Sequence, residues 1–223
     1  MSDFSIARVR PCKKGSEGVT LVELMIAIAL LGAALGTLYM LARATFVNTE
    51  FHDAEIVSQN EAQRGLQFMV TELRPALRGS FTGPALPRDQ VTFRIPGDAD
   101  GNGVPVDVGG YIESTGTITY MRDAQDLNGD GITTTQLVRV ARDNGGAITG
   151  VTVIANNIMA NEDVNGDGVL NPGEDLNASR TLERGMWFQW VGPLIRATVD
   201  TEQRLSNGNT VWATMTAQVS PRN

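Results

Sequence analysis

"KKGSEGVTLVELMIAIALLGAALGTLYMLA", residues 13–42, decides how this chain is read. From Leu24 to Ala42 there are 19 residues without a charge. As a helix rising about 1.5 Å per residue they span about 28 Å, close to the bilayer hydrocarbon thickness of about 30 Å. Arg8, Arg10, Lys13 and Lys14 precede the run, which predicts a cytoplasmic N-terminus and a body on the far side of the membrane. Glu23 stands directly before the run, where a segment that only had to cross a bilayer gains nothing from an acid. Three readings compete. The first is a cleaved secretory signal, with Ala42-Arg43-Ala44 as a small-x-small site, although the run exceeds the usual apolar length of about 7–15 residues. The second is a plain anchor. The third is a segment that enters a membrane first and a helical protein assembly afterwards.

Composition narrows the chemistry. The chain has 223 residues and a formal charge of −7, with a pI of about 4.7, so nucleic acid is not an expected direct partner. Cys12 is the only cysteine, and Lys13 and Lys14 are the only lysines. From residue 15 onward no disulfide can form, so stability there must come from packing or bound ions. His52 is the only histidine, which argues against a catalytic zinc site or a Ser-His-Asp triad, and its place in a helical pattern suits an ordinary solvated residue. No lysine in the body completes a phosphate-binding P-loop. These absences count against an enzyme.

Helical periodicity continues past the apolar run. Ala62, Leu66, Met69, Leu73 and Leu77 recur every three or four residues, an amphipathic stripe, with Glu61, Gln63, Arg64, Glu72 and Arg74 on the opposite face. Pro75 and Gly79-Ser80 are stop signals. The pattern predicts one helix from about residue 20 to about residue 77. From residue 90 the texture turns to strands: Val91–Ile95, Thr117–Met121, Gln136–Ala141, Gly150–Ile154, Met186–Val191, Leu194–Asp200 and Thr210–Val219. The last alternates strictly, with Val211, Ala213, Met215, Ala217 and Val219 on one face, and Asn207-Gly208 supplies a hairpin turn before it. Trp187, Phe188 and Trp190 are expected in the core. Arg64, Arg74 and Arg78 are expected on a solvated helix face.

The stretch "KKGSEGVTLVE" resembles the type IV prepilin leader: a basic segment, a glycine, a nearly apolar pentad and a glutamate as its fifth residue. The resemblance implies that a membrane prepilin peptidase cuts after Gly18 and methylates the new amine of Val19. Val19 stands where the family commonly has Phe. The usual helix proline is missing, with Gly32 and Gly36 in that stretch instead. It further implies that Glu23 pairs with the Val19 amine of a neighbouring subunit in a filament core. Such pairing offsets the desolvation of both charges and fixes register. The simpler role for Glu23 is to cap the helix. "NEAQRGLQFMVTELRPALRGS", residues 60–80, resembles the same region of PilW-type minor pilins and of J-type pseudopilins of type II secretion, and "VSPRN" resembles minor-pilin C-termini.

Three strings carry oxygen side chains at positions one, three and five and glycine at six, the first half of an EF-hand-type calcium loop. They are Asp98, Asp100 and Asn102; Asp126, Asn128 and Asp130; and Asp163, Asn165 and Asp167. The third continues with Val169 as a carbonyl ligand, Asn171 through water and Glu174 at position twelve, so it matches the whole pattern. The others have Gly109 and Leu137 at position twelve and need oxygen from elsewhere. Asx-rich turns without metal are the alternative.

The expectation is therefore an α+β pilin fold, a long N-terminal helix packed on an antiparallel β-rich head. Its parts are a leader at 1–18, an apolar assembly half-helix at 19–44, an amphipathic half at 45–80 and a head at 81–223. The implied role is a non-enzymatic minor type IV pilin with structural calcium. It would be a single-pass inner-membrane protein with a periplasmic head, later near the pilus tip. Its partners would be other minor pilins, the major pilin and a tip adhesin. A type II secretion pseudopilin is the nearest alternative. A membrane-anchored, calcium-dependent enzyme or binding domain is the alternative from another class, and it predicts a concave site with convergent acids away from the metal loops.

Overall fold

The computed structural model describes residues 18–81, 89–163, 171 and 184–222. The chain divides into two compact units, Met1–Asn48 and Thr49–Asn223. One helix, α1 (Leu21–Leu73), supplies the described structure of the first unit and opens the second. Among the described residues of the first unit the helix has no packed face. Leu24, Ile28, Leu31, Leu35 and Leu38 are all more than half exposed. Burial begins only in the second unit, along a stripe of Ala54, Ser58, Ala62, Gly65, Met69 and Leu73. That three-and-four spacing keeps one face of the helix turned inward.

The helix ends at Leu73, four residues short of its expected end. Pro75 explains this, since the residue before a proline is driven out of the helical region. Leu77 instead donates its N–H to Arg94 O at 3.0 Å and bridges Arg222 in parallel. A short 3₁₀ helix follows at Arg78–Ser80.

All seven expected strands form, with small shifts at their ends. They are β1 (Val91–Phe93), β2 (Gly116–Arg122), β3 (Leu137–Asp143), β4 (Ile148–Ala155), β5 (Met186–Val191), β6 (Leu194–Arg204) and β7 (Thr210–Val219). β1 to β4 make one antiparallel sheet in sequence order and β5 to β7 another. The sheets meet where the chain after β4 lies beside β6: Ile158 bridges Thr201, and Met159 N–H donates to Asp200 O at 3.0 Å. In β7, Val211, Ala213 and Val219 are buried while Trp212, Thr214, Thr216 and Gln218 are exposed, as the alternation predicts. Gly208 takes a φ of +86° at the β6–β7 turn, where glycine carries no steric penalty.

The core joins Met69 and Leu73 of α1 to Phe93, Tyr120, Leu137, Ile154, Phe188 and Ile195. Of the three aromatics of β5 only Phe188 belongs to it. Trp187 lies on the other face of the strand, under the Arg184 guanidinium at 4.2 Å. Trp190 is 36% exposed and packs edge-on against Phe81 at 5.4 Å, with Arg78 over its ring. The period-two rule removes Trp187 from the core, and a place at the strand end removes Trp190. His52 is an exposed helix residue, 3.8 Å from Glu55.

Polar ties fix the helix against the strands. Ser58 Oγ donates to Thr201 O at 3.1 Å, and Thr201 Oγ1 donates to Ser58 O at 2.7 Å, in a fully buried pair. Glu61 and Glu72, expected on the solvated face, turn inward. Glu61 Oε2 accepts Asn156 N–H at 2.7 Å. Glu72 accepts Arg139 Nε–H at 2.9 Å and the Tyr120 hydroxyl. Burial, and then the Glu72 carboxylate, push that hydroxyl well above the usual tyrosine range. At the upper end of the tie, Glu50 accepts the N–H and the hydroxyl of Ser206 in the β6–β7 turn.

Gly65 lets the helix lie close against β4. A Cβ on it would stand 3.0 Å from Ala155 Cβ and 3.5 Å from a Leu137 methyl. Gly65→Val should therefore force the helix off β4 and cost about 1–3 kcal/mol. Urea unfolding of the detergent-solubilised chain checks this, and an unchanged midpoint would mean that the helix relaxes outward freely.

Candidate functional site

The N-terminal site is built on a helix start. Thr20 precedes the first helical residue, Leu21. Thr20 Oγ1 accepts Glu23 N–H at 3.2 Å, and Glu23 Oε2 accepts Thr20 N–H at 3.0 Å and the Thr20 hydroxyl at 3.1 Å. This reciprocal pair is a capping box, the Thr-x-x-Glu spacing satisfying two donors that helix geometry leaves orphaned. The capping role weighed for Glu23 is thus present. Both bonds fall on Oε2, and Oε1 accepts none among the described residues. Gly18 and Val19 are exposed. A Cβ on Gly18 would meet nothing within 4 Å, so no packing among the described residues demands a glycine there. The leader before it, with Lys13 and Lys14, lies outside the described residues. Downstream, α1 holds a window of mean hydropathy 2.2 that is long and apolar enough to cross a membrane.

The first acidic loop is closed by its own backbone. Asp98 Oδ1 accepts the N–H groups of Gly101 at 2.7 Å and Asn102 at 3.0 Å, and Oδ2 accepts that of Gly103 at 2.7 Å. The Gly103 bond above all holds the Asp98 carboxyl below its usual range. Asn102 Nδ2 donates to Asp100. Glu113 reaches in from beyond the loop, accepting Ala99 N–H at 2.8 Å. Oxygens of Asp98, Asp100 and Glu113 lie within 4.8 Å of one another. Glu113 is thus a third acid beside a loop whose position twelve is Gly109.

In the second loop Asp126 Oδ2 accepts Gly131 N–H at 3.1 Å. Asn128 donates to Asp130, and Gln136 donates to Asp130 at 2.8 Å. The Gln136 bond leads in holding the Asp130 carboxyl below its usual range. Gln136 is a further partner that the loop pattern does not name.

In the third loop only Asp163 and Asn171 are described; Asn165, Asp167, Val169 and Glu174 lie outside the described residues. Asp163 is buried, and its Oδ2 accepts from Arg184 Nε and Nη2, each at 3.2 Å. Sequence spacing names the loop acid but not this partner.

On the outer face of β5–β7 lies an open cavity of about 570 Å³, lined by Arg184, Trp187, Arg196, Trp212 and the single acid Asp200. Asp200 Oδ2 accepts Arg184 N–H at 3.2 Å. Among the described residues, convergent acids, the mark of the enzyme alternative, are not gathered in this cavity.

No curated protein and no solved structure matches the chain. Residues 13–39 match the family described as the prokaryotic N-terminal methylation motif. The chain therefore carries a prepilin-type N-terminal motif, and this supports a type IV pilin-like or pseudopilin-like structural subunit.

Proposed function

We propose that the chain is a minor type IV pilin, a structural subunit that helps to start a pilus at the inner membrane and rides near its tip. The observation that carries this reading is the methylation motif at residues 13–39 running into a helix whose first half keeps its apolar side chains, Leu24 to Leu41 among them, more than half exposed. Such a surface is buried first by lipid and then by the helices of neighbouring subunits. Prepilin peptidase cuts after Gly18 and methylates Val19, and the head lies on the periplasmic side. Other minor pilins, the major pilin and a tip adhesin are its partners.

Glu23 then acts twice. Within the subunit it caps α1 through Oε2. In the filament, Oε1 receives the cationic Val19 amine of a neighbour. A carboxylate left unpaired among apolar helices would cost about 2.5–3.5 kcal/mol. Two variants separate the roles. Thr20→Ala and Glu23→Ala both break the capping box, at about 1 kcal/mol, but only Glu23→Ala removes the charge. Both should be cut at Gly18, as intact mass of the membrane-extracted chain will show. Only Glu23→Ala should be depleted from sheared pili, whereas equal incorporation of the two would leave capping as the sole role. A mature chain beginning at Thr45 would instead support a secretory signal. A product found with the type II secretion apparatus and not with pili would make the chain a pseudopilin.

The same proposal includes a structural calcium ion at Asp163, Asn165, Asp167, Val169, Asn171 and Glu174. What supports it is the full twelve-residue ligand pattern in a body without disulfides. The ion would share the Asp163 carboxylate with Arg184. Binding to the folded state alone stabilises it by about 2.7 kcal/mol at a hundredfold excess over Kd. EDTA should lower the melting temperature of the detergent-solubilised chain, and calcium should restore it better than magnesium. Glu174→Ala should remove most of that third-loop contribution. Identical melting of wild type and Glu174→Ala in calcium would make the loop a metal-free turn.

A further inference from the structure

One buried side-chain polar atom among the described residues finds no hydrogen-bond partner: Asp126 Oδ1, in the second acidic loop. Leaving a buried acceptor unsatisfied costs about 1–3 kcal/mol, and more when it is charged. Native folds rarely keep such an atom unless water or an ion meets it. The bond from Gly131 N–H to Oδ2, five residues along, carries the Asp126 carboxylate inside the turn of the loop. Its second oxygen, Oδ1, is buried.

Three other side chains close on that loop. Asn128 Nδ2 donates to Asp130 Oδ2 at 2.9 Å and to Gln136 Oε1 at 3.0 Å, and Gln136 Nε2 donates to Asp130 Oδ2 at 2.8 Å. Gln136 is 3% exposed and is not a loop-surface residue. Position twelve, Leu137, is fully buried in the apolar core and cannot contribute a side-chain oxygen. Gln136, one residue earlier and just before β3, brings one.

We infer that Asp126, Asn128, Asp130 and Gln136 form a calcium site anchored on Asp126 Oδ1. Every donor is a hard oxygen, from two carboxylates and two amides, and no nitrogen or sulfur ligand is offered. That set suits calcium or magnesium, and its irregular spacing favours calcium, which accepts flexible cages. Two charges in place of three or four place the affinity in the weak class of extracellular modules, about 10⁻⁴–10⁻³ M. When the ion enters, the amides of Asn128 and Gln136 present oxygen in place of their bonds to Asp130. Gln136 Nε2 also donates to Asn156 Oδ1 at 3.2 Å, and Asn156 N–H donates to Glu61 of α1. The ion is thereby coupled to the seat of the helix. The site stands independently of the filament role and of the third loop.

The test is a calcium titration of the ¹⁵N-labelled full chain in detergent micelles, stripped with EDTA, following the amide signals of residues 126–136. Saturable shifts are expected, half-complete at about 0.1–1 mM, with magnesium weaker. Asp126→Ala should weaken the response at least tenfold. Gln136→Glu, which adds a charge without removing a ligand, should tighten it several-fold. Glu174→Ala should leave it in place, which separates this loop from the third. Loop amides that stay still up to about 10 mM calcium, or a Gln136→Glu chain that binds no tighter, would overturn the inference.

Discussion

The head depends on how closely one helix can lie against two sheets. Ala54, Ser58, Ala62 and Gly65 line the buried face of α1 with small side chains. The interior beneath them is close-packed, so each added carbon there would displace a strand. Ala155, Leu137 and Thr201 occupy the space that larger helix residues would claim. Farther along, Met69 and Leu73 join the core cluster with Tyr120, Leu137 and Phe188 of β2, β3 and β5. The buried stripe thus changes from small to large residues along its length.

Much of this arrangement is legible in the sequence, for identifiable reasons. Period two is written clearly in β5 and β7, and glycine or asparagine punctuates the turns, so the strands could be placed. The helix stripe was equally clear. What periodicity does not reveal is which polar residues are borrowed for tertiary contacts. Glu61 and Glu72 read as solvent-facing because acids on helices usually are. Their inward turn depends on Arg139 of β3 and on Asn156 just after β4, 67 or more residues away. The acidic loops show the same limit. The loop spacing names Asp98 and Asp126, but Glu113 and Gln136, which hydrogen-bond to these loops, sit outside the pattern. The Thr20–Glu23 box was fully local, and therefore readable.

Glu23 illustrates why one residue can serve two environments. A helix start always leaves N–H groups without partners, whatever surrounds the segment. An acid at this position satisfies them in lipid and in a protein assembly alike. Its second oxygen is not consumed by that duty. The spacing that supports the helix therefore also leaves an acceptor at the subunit's end, beside the first residue of the mature chain if cleavage follows Gly18. The rest of the apolar stretch needs no chemistry beyond length and greasiness, which is why it tolerates Gly32 and Gly36, where added carbons would meet open space.

The distribution of the polar ties has a mechanical consequence. Glu50, Ser58, Glu61 and Glu72 grip the sheets at intervals along 22 residues of helix, about 33 Å at 1.5 Å per residue. A pull along the helix axis loads these contacts together, in shear. A pull across the axis would break them one after another, as a zipper opens. The head is thus built to resist tension delivered through its own helix, and it is weakest to a force that peels the helix sideways from either end.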